Sequence, residues 1–306
     1  MMKHFLMRLL YRLANLLPRR LALRMADALG MALFFTVEHT RFRGSMQRTI
    51  ATAFPGRYDQ RDLNRLARGT AQATLRTAVE LCRFGRLVRE FPRFVEVQGL
   101  DHLAQAKAKG KGVILLSGHM GNWELFLASL PIMGYASYPI GLRQSDPVAQ
   151  EILVRCREAT GNRVYYTQDM STADILPLLE ANEIIVLLAD HHHPAKRNIL
   201  RFFGRPVSVP AGPVVLAQRS GAPVITGYGI RLPRGRHRIV IEPELVFDYT
   251  GDMNRDIRVN MGLYLRRVEE WVAKYPEQYF WAHERFAWLK PEEIAAYEAT
   301  EIIERT

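Results

Sequence analysis

Cysteine is nearly absent from this 306-residue chain: only Cys82 and Cys156 occur, too far apart to form the paired knuckles of a structural zinc site. Nothing suggests a disulfide framework, which implies a reducing compartment. No uninterrupted apolar stretch reaches the roughly 20 residues that cross a bilayer. Internal repeats and low-complexity tracts are missing as well, and with 48% apolar residues the composition excludes a disordered chain. Acidic side chains are in deficit, 31 against 42 Lys plus Arg, for a formal net charge of +11.

An excess of that sign points to an anionic partner surface, either nucleic acid or an acidic membrane leaflet. Its distribution separates the two. Residues 1–50 hold nine basic side chains and, as acids, only Asp27 and Glu38. Along Phe5, Leu6, Leu9, Leu10, Leu13, Leu16 and Leu17 the apolar spacing is helical, with Arg8, Arg12 and Asn15 on the other side and Pro18 as the stop. A second helix follows Arg24, and its most apolar part, Ala28 to Val37, is about half a membrane span. Leu and Phe beside Arg gain from acyl-chain burial and from anionic headgroups, about 1 kcal/mol per basic residue near the surface. The expectation is monotopic attachment to an anionic membrane surface, without nucleic acid. Helices that merely cap the body would show the same pattern, whereas a cleaved signal peptide would not place arginine inside its apolar region.

From about Val95 onward, short β-rich runs alternate with helical stretches: Val113–Leu116 then Trp123–Met133, Tyr138–Ile140 then Val148–Ala159, followed by Ile184–Leu188, Val224–Tyr228 and Ile239–Ile241. Such alternation predicts an α/β fold, a mixed, largely parallel sheet with flanking helices. The only plausible boundary is the Pro- and Gly-containing segment around Pro55 to Tyr58, between N-terminal helices. Residues 1–94 are therefore read as a helical membrane-facing layer and 95–306 as the catalytic body.

Val113 to Ser117 has no polar alternation, as expected of a strand buried on both faces. Gly118-His119-Met120-Gly121-Asn122-Trp123-Glu124 follows at its carboxyl end, where open α/β sheets bind ligands. Positions five apart on a continuous helix sit about 140° apart, but a turn through Gly118 and Gly121 lets His119 and Glu124 converge. Imidazole suits removal of a hydroxyl proton at neutral pH, and Glu124 would fix its tautomer. No Ser or Cys stands beside this His in an elbow, so direct attack by an acceptor in a ternary complex is simpler than a covalent intermediate.

Ser117-Gly118-His119, Gly121-Asn122-Trp123 and Glu124 resemble the His, four residues, Asp or Glu motif of the bacterial lipid A late acyltransferases and the related phosphatidylinositol mannoside acyltransferases. Further blocks resemble the family in the expected order: Leu142 to Gln144, Leu188 to His191, Phe202 to Pro206, Gly212-Pro213 and Tyr279 to Phe286. The resemblance implies a glycerolipid-acyltransferase-like fold. It also implies acylation of a lipid or glycolipid hydroxyl at the cytoplasmic face of the bacterial inner membrane. The co-substrate would be an acyl carrier protein or coenzyme A thioester, with no cofactor.

Other residues keep two readings. Arg143, after a short strand, suits a developing oxyanion or an acceptor phosphate, and equally a surface ion pair. Arg163 resembles a basic position downstream of the acid in that family. Asp190 ends the strand Ile184–Leu188 and would position the acceptor, orient an arginine, or only cap its loop. His191, His192 and His193 depart from the lipid A group, which usually carries one His or Gln there. Adjacent histidines point in different directions and suit one metal ion poorly, so His191 is read as a site contact. The N–H groups before Gly212 would receive a phosphate, or simply start a helix. A membrane-associated metal-dependent hydrolase using His119, Glu124, Asp190 and the triple His is the competing enzyme, and a non-catalytic anionic-lipid binder the competing class.

Overall fold

A computed structural model describes residues 2–35, 40–191 and 198–305. Five helices come first: α1 (Met2–Leu16), α2 (Arg19–Phe35), α3 (Thr40–Ala53), α4 (Gln60–Cys82) and α5 (Phe84–Phe94). The chain around Pro55 to Tyr58 joins α3 to α4, whose first turn is capped by the Asp59 carboxylate accepting from the Asp62 N–H. Ala14, Ala22, Ala26 and Val79 pack α1 and α2 onto α4. The α2–α4 approach is close enough that a Cβ at Gly30 would lie 2.8 Å from the Gln72 backbone.

The body then alternates as its hydrophobic pattern predicts: β1 (Val95–Gln98), α6 (Leu100–Ala108), β2 (Val113–Ser117), α7 (Trp123–Ile132), β3 (Ser137–Gly141), α8 (Pro147–Glu158), β4 (Tyr165–Tyr166), α9 (Thr172–Glu180) and β5 (Ile184–Leu188). After a hairpin, β6 (Asn198–Phe202) and β7 (Arg205–Val209), come α10 (Gly212–Ser220), β8 (Val224–Arg231), β9 (His237–Ile241), α11 (Met253–Lys274) and α12 (Pro291–Arg305). Seven strands form one sheet in the order β1-β9-β8-β2-β5-β3-β4. Only β8 and β9 run antiparallel, because the five residues between them leave no room for a crossover; the other pairings are parallel.

The central strand β2 is buried throughout. Val113 and Leu115 face one core with Leu125, Phe126 and Leu103, while Ile114 and Leu116 face the other with Leu66, Ala71, Tyr264 and Val268. Helices therefore cover both faces, and a strand sandwiched this way has no use for polar alternation. α3 and α4 contribute Met46, Ile50, Leu66 and Ala71 to the same core as the sheet.

The N-terminal helices differ from the two-sided division expected of α1. Leu10 and Leu17 pack on the alanine cluster, and Asn15 turns inward to donate to the Cys82 carbonyl at 2.8 Å. Phe5, Leu6, Leu9 and Leu16 lie outside beside Arg8 and Arg12, and α2 exposes Leu21, Leu29 and Phe35 with Arg20 and Arg24. The outer surface thus mixes apolar and basic groups, because the inner side is taken by contacts to α4. Among the described residues no helix is long and apolar enough to cross a membrane. Val37, the end of the apolar stretch read from sequence, lies outside the described residues.

Candidate active site

Parallel pairing of β2 with β5 sets Ser117 opposite Leu188. His119 and Asp190 each lie two residues beyond that pair, so the topology brings together side chains 71 positions apart. The Asp190 carboxylate grips His119 twice: Oδ1 is 2.7 Å from Nδ1, and Oδ2 accepts the His119 backbone N–H at 2.9 Å. This assigns the proton to Nδ1 and leaves the Nε2 lone pair able to accept a proton. Asp190 is fully buried and His119 partly exposed. Burial alone would raise the Asp190 carboxyl, but the charge of His119 and its two hydrogen bonds to the carboxylate outweigh that and hold it well below the usual carboxylate range.

Glu124 faces elsewhere. Its two oxygens are taken by Arg157, Oε2 at 2.9 Å from Nε and Oε1 at 2.7 Å from Nη2, in a buried bidentate pair. Burial depresses Arg157, and the charge of Glu124 more than reverses it. The expectation that Glu124 fixes the His119 tautomer is corrected: the carboxylate against the imidazole is Asp190, and Glu124 instead ties the start of α7 to α8. The five-residue spacing misled because it is local, whereas the true partner comes from the neighbouring strand.

The turn between them is clamped on two sides. His119 O accepts from Phe280 N at 2.9 Å, and Gly121 N donates to Gln278 O at 2.8 Å. Asn122 N donates to Gly229 O at 2.6 Å, and its side chain caps α7 by accepting from Leu125 N. Gly121 has φ +59°, and a Cβ there would lie 2.0 Å from Gly229 O. Gly121→Ala is therefore expected to cost at least about 1–2 kcal/mol from the left-handed backbone alone, plus the displacement of β8. Thermal unfolding would report a lowered midpoint, and an unchanged one would mean the turn relaxes freely.

Beneath Asn122 lies a buried charge cluster that the sequence reading missed. Glu80 on α4 accepts from Asn122 Nδ2 at 2.8 Å, Arg231 Nη1 at 2.5 Å and His237 Nε2 at 2.9 Å, with Arg19 at 3.4 Å. Burial would raise the Glu80 carboxyl; Arg231 and His237 reverse this and hold it well below its ordinary range. A glutamate deep in a helix has no local signature, since its partners come from α2, the β2–α7 turn and the β8–β9 hairpin.

Arg143 follows β3, which lies two strands across the sheet from β2. It is ion-paired with Asp169 and lies 4.5 Å over the Tyr166 ring. Arg163 is exposed in the loop after α8, and the basic residue that meets the motif's acid is Arg157. Gly212 opens α10, with no side-chain cap there. His192 and His193 lie outside the described residues.

His191 stacks face to face on His119, ring centroids 3.7 Å apart and planes 6° apart, and His283 stacks on His191 at 4.0 Å and 14°. Ligand atoms of His119, Asp190 and His191 lie within 4.8 Å of one another. They do not fit a metal ion: an imidazole binds in its ring plane at about 2.0–2.1 Å, and parallel rings 3.7 Å apart direct their lone pairs along lines that do not meet.

The sequence profile of the family described as bacterial lipid A biosynthesis acyltransferase matches residues 1–287. The chain belongs to that family. Within reach of it are a phosphatidylinositol mannoside acyltransferase of Mycobacterium tuberculosis, 27% identical over 143 residues, and a lipid A biosynthesis lauroyltransferase of Escherichia coli, 24% identical over 212. The first alignment covers 46% of this chain and 45% of the relative, the second 67% and 66%. The chain thus spans from under half to about two thirds of the length of these relatives. A 1-acyl-sn-glycerophosphate acyltransferase structure from Thermotoga maritima aligns over 84% of this chain and 99% of its own at 11% identity, with a TM-score of 0.38. The fold assignment rests on the sheet itself and not on that likeness.

Proposed function

We propose that this protein transfers a fatty acyl group from a thioester carrier to a hydroxyl of a membrane lipid or glycolipid, with His119 as general base. The observation that carries the reading is the buried Asp190 carboxylate 2.7 Å from His119 Nδ1, at the carboxyl end of the central strand of a chain in this family. An acceptor O–H gives its proton to Nε2 while its oxygen forms a bond to the thioester carbonyl carbon. The tetrahedral intermediate collapses, the C–S bond breaks, and the leaving thiolate takes the proton back from the imidazolium. Asp190 stabilises that imidazolium through the 2.7 Å contact to Nδ1 and is not itself protonated. Glu124, with Arg157, holds the first turn of α7 so that His119 keeps its place. Arg143 is assigned to an acceptor phosphate, exchanging one anion, Asp169, for another, and the α10 N-terminus at Gly212 and the exposed Arg163 to the same anionic groups. The donor is acyl carrier protein or coenzyme A thioester, and no cofactor takes part.

The outer faces of α1 and α2 support attachment to the cytoplasmic leaflet of the inner membrane. Leu16 is 76% exposed and Phe5 64%, among arginines and with no acid on the α1 sequence. Sedimentation with vesicles containing anionic lipid is expected to carry the protein down and to lose it at high salt. Leu6→Asp with Leu9→Asp should release it to the supernatant, and co-sedimentation unaffected by either change would remove the membrane part of the reading. Incubating purified protein with acyl carrier protein or coenzyme A thioesters and a bacterial lipid extract, with mass spectrometry of the lipids, would identify donor and acceptor. A lipid mass increased by one acyl group is the expected product, and release of free fatty acid alone would favour a hydrolase.

A further inference from the structure

The imidazole stack has no counterpart in the proton transfer just described. One hydrogen bond to Asp190 fixes where Nδ1 of His119 sits but only weakly fixes the plane of the ring. His191 supplies that plane: its ring lies parallel at 3.7 Å and is itself backed by His283 at 4.0 Å. On the flank, Trp123 is tilted against His119 at 5.5 Å and touches Phe280 at 5.6 Å. His191 Nε2 is buried, has no hydrogen-bond partner among the described residues, and stands 3.8 Å from the nearest Asp190 oxygen. A buried nitrogen with no partner is poorly suited to recognise an acceptor, and a charge on it would not be solvated.

We propose that His191 is a positioning residue, an uncharged ring that fixes the plane of His119 through stacking and keeps water from that face, and not an acceptor contact. The inference rests on His119 being the base. It assigns the family-divergent triple His a role for its first member that any flat ring could fill. The charged and titratable groups facing His191 are Asp190 on its own loop, His119 from the β2–α7 turn, and His283 and Arg285 from the C-terminal segment. Burial pushes the His191 pKa well below the usual imidazole value, and His119, His283 and Arg285 act in the same direction against Asp190. Neutrality has a mechanistic consequence, since a second imidazolium stacked on His119 would oppose the charge that forms there during transfer.

The test compares His191→Ala, which removes the stack, with His191→Phe, which keeps a flat ring and cannot titrate, using the full chain in the acyl-transfer assay. A misplaced base loses rate and not ground-state binding, so His191→Ala should lower kcat by about tenfold or more with KM within about twofold. His191→Phe should recover kcat to within about threefold of the unaltered protein, with the acid limb of its pH profile in the same place. A loss that appears in KM and is not recovered by Phe would overturn the proposal in favour of an acceptor contact. So would full kcat in His191→Ala, or an acid limb displaced in His191→Phe. Should the Ala variant fail to fold, the Phe variant alone decides, through its kcat and its acid limb. Retained transfer in His119→Ala would instead remove the transferase mechanism on which the inference depends, and is measured alongside.

Discussion

Asp190→Asn is expected to lower kcat by about two to four orders of magnitude, the range that general acid–base catalysis contributes, while leaving the fold in place. The neutral amide still fits beside the ring, but it can donate to Nδ1, favouring the tautomer that carries its proton on Nε2. That places a proton where the base needs a lone pair, and no carboxylate remains to stabilise the imidazolium. Because Asp190 also receives the His119 backbone N–H at 2.9 Å through Oδ2, some loss of stability accompanies the change, and circular dichroism and thermal unfolding separate the two effects. A folded Asp190→Asn variant with undiminished kcat would mean that the buried carboxylate only caps its loop.

The Glu124–Arg157 pair yields the second large effect, on stability first. Removing one partner of a buried ion pair leaves the other charge uncompensated and costs about 3–5 kcal/mol, whereas replacing both by apolar residues of similar volume is often neutral. Glu124→Ala should therefore unfold at much lower denaturant concentration, and Glu124→Leu combined with Arg157→Met should recover most of that loss. The double variant also separates two roles for Glu124. As a clamp of the α7 start, it predicts that transfer returns with stability, to within about tenfold of the unaltered protein. A stable double variant without transfer would return Glu124 to the chemistry.

Local sequence patterns reach only part of this site. The buried run Val113 to Ser117 announced a central strand, and the glycines at 118 and 121 announced a turn that carries His119 out of it; both are local features and both are found. The α/β alternation follows from the same periodicity, and Ile184–Leu188 is a strand with those bounds. The partner of His119 was not legible, because it depends on β5 lying beside β2 and on the register that sets Ser117 opposite Leu188. A local acid, Glu124, was therefore expected at the place beside the imidazole that the fold gives to a distant one. Arg157 was overlooked for Arg163 for a related reason: on α8 only the fold distinguishes the arginine that turns inward. Glu80, with partners contributed by three other segments, is the extreme case. The hairpin of β6 and β7, which spans Phe202 to Pro206, has no clear signal in the sequence. Its two-residue turn places Phe203 at φ +49° and Gly204 at +72°, and Phe is not a residue that advertises such a turn.

The amphipathic reading of α1 shows a different limit. Helical periodicity locates the apolar positions but does not say which neighbour takes which side. Contacts to α4 claim Leu10, Leu17 and Asn15, and so the exposed side combines Phe5, Leu6, Leu9 and Leu16 with arginine. That combination suits an acidic leaflet as well as the simpler two-sided helix does.

In the proposed reaction the His119 imidazole, held by Asp190, removes a proton from a lipid hydroxyl during acyl transfer. Its most direct test is the rate at which label passes from an acyl thioester into lipid with the unaltered protein and with folded His119→Ala under the same conditions. Measurable transfer is expected from the first and a loss of about two to four orders of magnitude from the second; equal transfer by both would mean that His119 is not the base.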